Sequence, residues 1–258
     1  MKVFILCGGY GTRLDYEGQL KAKPMVRIGN APILMHLIKL YCLQGVNEFV
    51  FCLGYKANTI QDYFLKENKK KIKIIFKKKN ICKFSYKSKY LNFIGNLIFT
   101  GIKTGTGGRL KRAYNCLKLD EDILMTYGDG LSNVNIKRLI KFHYEKKSLV
   151  TLTAVRPKQR YGVLRLDRGA VKFFDNSNKD INIYINGGFF VISKEMIKKI
   201  KNLKIFWENE PLKFAIKKKK LFAFKHHGFW KSLDTLKDKN DFNEMFRKKI
   251  TPWINLKN

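Results

Sequence analysis

The sequence predicts an α/β fold: a mixed, mostly parallel sheet flanked by helices, with a small β-rich C-terminal extension. Three observations point there. Apolar, β-branched runs alternate with helix-patterned segments through residues 1–155. The first of these runs breaks into glycines, where a parallel sheet opens the crevice that takes ligands. The last third then changes rhythm to short strands between short helices.

Taken in order, Val3–Cys7 is an unbroken apolar strand, and Pro32–Leu43 carries a helical pattern. Strand Phe49–Leu53 and helix Ala57–Leu65 follow, and the alternation resumes with helix Gly108–Leu117, strand Ile123–Tyr127, helix Asn135–Tyr144 and strand Leu149–Val155. Between the two blocks, Lys69–Phe99 alternates charge with aromatics and reads as strands of a projecting arm, suited to an oligomer contact. The last third gives strands near Val163–Leu166, Ala170–Phe174, Ile183–Ile192 and Leu221–Phe224. Helices are expected near Glu195–Ile200, Leu212–Lys217 and Thr235–Lys248. No internal repeat and no Pro/Ser-rich linker divides the chain, so 1–258 reads as one domain. Within it, 1–155 forms the core with the arm 69–99, and 156–258 the C-terminal part.

The composition, 45% apolar and 14% aromatic, is that of a globular protein rather than a disordered one. The apolar runs are too short to span a bilayer, and the first ends in glycines rather than a signal-peptide cleavage site. A cytoplasmic protein without membrane partners is expected. The net charge of +33 is mostly Lys, in runs such as 69-KKKIKIIFKKK-79 and 217-KKKK-220. Few Arg are available to fork phosphates or bases, so a solvated basic face is expected rather than a nucleic-acid groove. The same charge suits a small anionic substrate. The five cysteines are scattered without a CxxC spacing, which fits neither a disulfide framework nor a thiolate metal site.

The densest chemistry is at 8-GGYGTRL-14, followed by 21-KAKPMV-26. It is neither of two familiar loops: a dinucleotide fingerprint requires Gly where Leu14 stands, and no Gly-Lys-Ser/Thr is present for a P-loop. Gly8, Gly9 and Gly11 leave room for backbone N–H groups to cradle a phosphate. Thr12 adds a hydroxyl donor and Arg13 a cationic fork, while Lys23 offers a compact charge beside the stiff Pro24. Asp129, in Gly128-Asp129-Gly130 directly after a strand, stands where a hard divalent cation could be held; alone, the tripeptide also reads as a turn. Read alone, 233-LDT-235 is equally a helix N-cap. The four histidines show no metal spacing and read as structural or surface groups.

These motifs resemble the sugar-phosphate nucleotidyltransferase family, and within it the glucose-1-phosphate cytidylyltransferases. The similarity also covers 53-LGYKANTIQDYF-64, 107-GGRLKR-112, 126-TYGDGLSNVNI-136, 185-INGGFFVIS-193, 207-WENEPL-212, 228-GFW-230 and 234-DTLKDK-239. The resemblance implies a Rossmann-like, GT-A-like nucleotidyltransferase fold, usually oligomeric, so a homo-oligomer is expected. It implies Mg²⁺-dependent release of pyrophosphate from CTP, with Arg13 and Lys23 as the catalytic cations and Asp129 and Asp234 as the metal ligands. Leu6, Gly8, Gly9, Gly11, Thr12, Arg13, Lys23, Thr104, Gly108, Arg109, Gly128 and Asp129 would lie against the nucleotide. The chemistry agrees: a phosphate nucleophile is already an anion and needs no general base, leaving positioning and charge neutralisation to the protein.

One stretch departs. After the strand at Ala170–Phe174 the family carries Glu-Lys-Pro, whose Glu and Lys hold the sugar phosphate, whereas this chain has Asn176, Ser177 and Asn178. Each lost charged hydrogen bond costs about 1.5–3 kcal/mol. The sequence therefore resembles a cytidylyltransferase whose acceptor is not a hexose. The nearest such resemblance is to enzymes that join CMP to L-glutamine phosphate for capsular phosphoramidate, giving CDP-L-glutamine; the alternative is CDP-glucose from glucose 1-phosphate. Gly162, Asp175, Asn176, Asn186, Gly187 and Glu208 are the candidates to meet the acceptor.

Overall fold

The first strand, β1 (Val3–Cys7), is buried along its whole length, which places it in the interior of a sheet covered on both faces. The computed structural model describes residues 1–9, 21–156, 163–167, 170–175 and 183–254. After β1 come the short pair β2 (Arg27–Ile28) and β3 (Ala31–Pro32), helix α1 (Ile33–Cys42) and strand β4 (Glu48–Leu53). Helix α2 (Ala57–Asp62) precedes β5 (Ile72–Lys78), β6 (Ile81–Lys87) and β7 (Asn92–Phe99). Next are α3 (Thr106–Cys116), β8 (Ile123–Tyr127), β9 (Gly130–Ser132), α4 (Ile136–Glu145) and β10 (Val150–Val155). The hairpin β11 (Val163–Asp167) and β12 (Ala170–Asp175) leads to β13 (Ile185–Ile192), α5 (Lys194–Lys199) and α6 (Glu210–Lys217). Strands β14 (Leu221–His226) and β15 (Trp230–Ser232) and helix α7 (Leu236–Arg247) complete the order.

Nine strands form the central sheet, in the order β14-β10-β13-β8-β1-β4-β7-β6-β5. Its middle, β8-β1-β4-β7, is parallel throughout. β13 inserts antiparallel between β8 and β10, and β14 pairs parallel to β10. Residues 69–99 do form strands, but they belong to the central sheet rather than to a projecting arm. β7 lies inside the sheet beside β4, and the β5–β6 hairpin continues its edge.

Two apolar layers cover the sheet. One packs β1, β4 and β8 against α1, α4 and α7, with Phe49, Phe51, Phe189 and Trp253 among its fully buried rings. The other packs the opposite face against α3, α5 and α6 through Phe4, Leu110, Ile197 and Trp207. Burying each such large apolar side chain stabilises the fold by about 1.5–3 kcal/mol. Some helix starts are set by side chains. Asn135 Oδ1 accepts from the Arg138 amide at 2.9 Å, and Thr235 with Asp238 forms a reciprocal capping box at the head of α7. All five cysteines are free. Among the described residues, no helix is long and apolar enough to cross a membrane.

Candidate active site

Because β1, β4, β7 and β8 are parallel, their carboxyl ends share one rim of the sheet. β13 runs the other way, so its first residues reach the same rim. Phe189 sits opposite Thr126 on β8, which places Asn186 to Gly188 beside Tyr127 and the residues after it. Chain direction alone therefore gathers Leu6, Gly8, Gly128, Asp129, Asn186 and Gly187.

The second carboxylate reaches the rim through a small two-stranded antiparallel ladder. β15 pairs antiparallel with β9, with Ser232 opposite Gly130, and the Leu233 amide donates to the Asp129 carbonyl at 2.8 Å. Asp129 and Asp234 thus flank a hydrogen-bonded ladder. Lys23 opens a single tight turn, Lys23–Met25, whose next residue is Pro24. Its Nζ lies 2.6 Å from Asp129 Oδ2 and 2.8 Å from Asp234 Oδ1. Ser232 Oγ donates to the other oxygen of Asp234 at 2.6 Å. Burial works against the Lys23 charge, but the two carboxylates outweigh it and raise its pKa. The helix N-cap at this place is Thr235, so Asp234 is left to the site.

A cleft of about 290 Å³ opens here, lined by Leu6, Cys7, Gly9, Lys23, Pro24, Thr106, Tyr127, Gly128, Asp129 and Asp234. A second cavity of about 250 Å³ adjoins it, lined among others by Asn186, Gly187, Trp230 and Ser232. Tyr127, Asp129 and Asp234 line both. An anionic chain in the first cavity and an acceptor in the second would meet at the two carboxylates and the ammonium. That is an arrangement for phosphoryl or nucleotidyl chemistry, with charge neutralisation in place of a base.

Residues 2–236 match the Nucleotidyl transferase family. The chain belongs to that family.

It is 40% identical over 253 residues to the glucose-1-phosphate cytidylyltransferase of Salmonella typhi, covering 98% of both chains. It is 35% identical over 261 residues to the probable glucose-1-phosphate cytidylyltransferase of Bacillus subtilis, covering 98% of this chain and 99% of that one. Among solved structures, HddC from Yersinia pseudotuberculosis complexed with GMP-PN superposes with a TM-score of 0.65 at 25% identity, over 95% of this chain and 99% of that one. A putative glucose-1-phosphate thymidylyltransferase from Bacillus anthracis gives 0.66 at 15% identity, over 96% and 95%, a likeness of fold alone. The mostly parallel sheet read from the sequence is the sheet of these neighbours.

The nucleotidyltransferase places its other expected site residues less uniformly. Arg109 is only 4% exposed. Its guanidinium donates to the carbonyls of Leu53, Gly101, Gly8 and Ile102 and to Thr100 Oγ1, at 2.5 to 3.3 Å. It buckles together the ends of β1, β4 and β7. A Cβ on Gly8 would stand 2.4 Å from the guanidinium carbon. Gly108, on the first turn of α3, is pressed against the Leu203 carbonyl, where a Cβ would come within 1.9 Å. Thr104 Oγ1 donates to the Thr100 carbonyl at 2.7 Å. Glu208 accepts from Tyr127 Oη at 2.5 Å and from Thr106 Oγ1 at 2.7 Å, at the edge of the first cleft. Burial first, and then Glu208, push the Tyr127 phenol far above its usual range, so it stays a neutral donor. Asn186 Oδ1 accepts from the Gly188 amide, and the Gly187 carbonyl accepts from Trp230 Nε1 at 2.7 Å. Asp175 closes β12 opposite Val163. Gly11, Thr12, Arg13, Gly162 and Asn176 lie outside the described residues.

Sequence reasoning missed three members of the site. Tyr127 forms the wall between the two cavities, and its place immediately before Gly128-Asp129 was the available signal. Ser232 steadies Asp234, and Thr106 holds Glu208. Neither lies within a motif read from the sequence, so neither had a signal there.

Proposed function

We propose that this nucleotidyltransferase is a Mg²⁺-dependent cytidylyltransferase acting on a small phosphorylated acceptor. An acceptor phosphate oxygen attacks the α-phosphorus of CTP and forms a new P–O bond. The bond from that phosphorus to the β-phosphate bridging oxygen breaks, and its electron pair leaves with pyrophosphate. The convergence of Asp129 and Asp234 on Lys23 at the sheet rim is the observation that carries the reading. The 40% identity to a cytidylyltransferase favours CTP as the donor.

The donor set fits a magnesium ion: hard carboxylate oxygens on two fixed backbones beside a cleft that leaves other positions to phosphate and water. Asp129 and Asp234 would hold the ion, which when bound neutralises charge on the phosphate chain. The rest falls to the protein. Lys23 places an ammonium at the phosphates, and Arg13 is proposed to add a second cation from the glycine-rich loop. Tyr127 and Thr106 hold Glu208 at the edge of the first cleft.

The proposed acceptor is L-glutamine phosphate, giving CDP-L-glutamine for capsular phosphoramidate. Asn176, Ser177 and Asn178 support it, because they replace the charged pair that grips a sugar phosphate in this family. A second reading, glucose 1-phosphate giving CDP-glucose, is favoured by the end-to-end match to glucose-1-phosphate cytidylyltransferases. Asp175, Asn176, Asn186, Gly187 and Glu208 are the proposed acceptor contacts, in a cytoplasmic homo-oligomer. Pyrophosphate release measured with CTP, Mg²⁺ and each acceptor in turn decides the matter. Phosphoglutamine should turn over faster; faster turnover of glucose 1-phosphate would establish the second reading.

A further inference from the structure

We propose that Lys23 and the divalent cation compete for the same carboxylate oxygens, so that the chain takes up the cation fully only when phosphate draws the ammonium away. The inference rests on reading Asp129 and Asp234 as the cation ligands. It goes beyond that reading by assigning Lys23 a second task, holding the ligand pair until substrate arrives.

The geometry carries it. Lys23 Nζ is within hydrogen-bond distance of Asp129 Oδ2 and Asp234 Oδ1 together, at 2.6 and 2.8 Å, and so stands between the two groups a cation would bridge. The backbones that carry the carboxylates do not depend on it for their placement. The β9–β15 ladder and the Leu233 amide on the Asp129 carbonyl fix those backbones, and the Ser232 hydroxyl holds the Asp234 side chain as well. Charge then decides between states. Two carboxylates and one ammonium sum to a single negative charge, a weak draw for a divalent ion that the ammonium itself repels at this range. With the ammonium gone, the pair carries the two charges that match the ion. The exchange needs only a side-chain movement: the Lys23 backbone is held in its turn beside Pro24, while its four-carbon stem borders the cleft where phosphates would lie. A polyphosphate offers the ammonium several oxygens in return for the two it surrenders.

The consequence is ordered assembly, with metal affinity coupled to anion binding. Mn²⁺ alone, followed through the loss of the free-ion paramagnetic resonance signal, tests it without turnover. Lys23→Met should bind Mn²⁺ at least about tenfold more tightly than the unaltered chain, within the range of ordinary coupling energies. Asp129→Asn should abolish the gain. If Lys23→Met binds no more tightly while Asp129→Asn still removes binding, the exchange is wrong and the cation site stands. If neither Asp129→Asn nor Asp234→Asn changes Mn²⁺ binding in any background, the site itself falls, and the exchange with it. Should Lys23→Met fail to fold, amine labelling of the unaltered chain decides instead. Mg²⁺ alone should accelerate labelling of Lys23 as it is displaced, and labelling indifferent to Mg²⁺ would overturn the exchange.

Discussion

Arg109 Nη2 donates to the carbonyl of Gly8 at 2.9 Å across 101 positions of sequence, tying α3 to the start of the glycine-rich loop. The same guanidinium holds carbonyls after β4 and β7, so it braces the rim on which the site is built. Arg109→Met should cost at least about 3 kcal/mol in urea unfolding, since two or more charged hydrogen bonds at about 1.5–3 kcal/mol each are lost. Arg109→Lys should recover only part, because one ammonium cannot span the fork. A variant with unchanged stability and weakened CTP binding alone would instead put the guanidinium against the nucleotide.

Lys23→Ala and Asp129→Asn should each lower kcat by roughly a hundredfold or more, the usual scale for removing one preorganised charge, with circular dichroism unchanged. Near-normal turnover in both would move the site elsewhere.

Gly108 faces a neighbouring backbone carbonyl rather than a flexible side chain, so an added methyl has nowhere to go. Gly108→Ala should destabilise by about 1–3 kcal/mol despite the better helix propensity of Ala. Thermal unfolding followed by fluorescence checks this; a stabilised variant would show that the 203–207 segment gives way.

His36 should make the fold acid-sensitive. Its Nδ1 accepts from Trp253 Nε1 at 3.2 Å, so Nε2 carries the proton and donates to the Ile28 carbonyl at 2.9 Å. Burial, and Lys39 nearby, lower its pKa, while the Ile28 carbonyl opposes them. A lowered folded pKa means its contribution is complete above the unfolded value of about 6.5 and is lost as pH falls through the folded one. His143 and His226 are lowered as well and act in the same direction. His36→Gln should therefore flatten, without abolishing, the fall in Tm on acidification. An unaltered slope would remove His36 from the account.

Strands Val3–Cys7 and Ile123–Tyr127 were legible to the residue, because an interior parallel strand needs uninterrupted apolar side chains and glycine or aspartate marks its end. The 57–65 pattern was harder. It is α-helical only to Asp62 and continues as a wider turn, closed by the Asn68 amide on the Tyr63 carbonyl, for which the side chains give no cue. In the site, Asp129 could be read from its place after a strand. Asp234 could not, since antiparallel pairing between distant segments brings it in and only the family pattern marked it. Arg109 was least legible. The resemblance sets it against the nucleotide, and its burial among carbonyls from three separate strand ends has no cue in the local pattern.

The β9–β15 ladder also sets a timetable. One acid of the pair is translated more than a hundred residues before the other. A polypeptide emerging from the ribosome can therefore assemble its parallel strands and first carboxylate well before their counterpart exists. Competence for chemistry then waits on the later segment, and a product stopped short of Asp234 would keep the early strands while lacking half of its acidic pair.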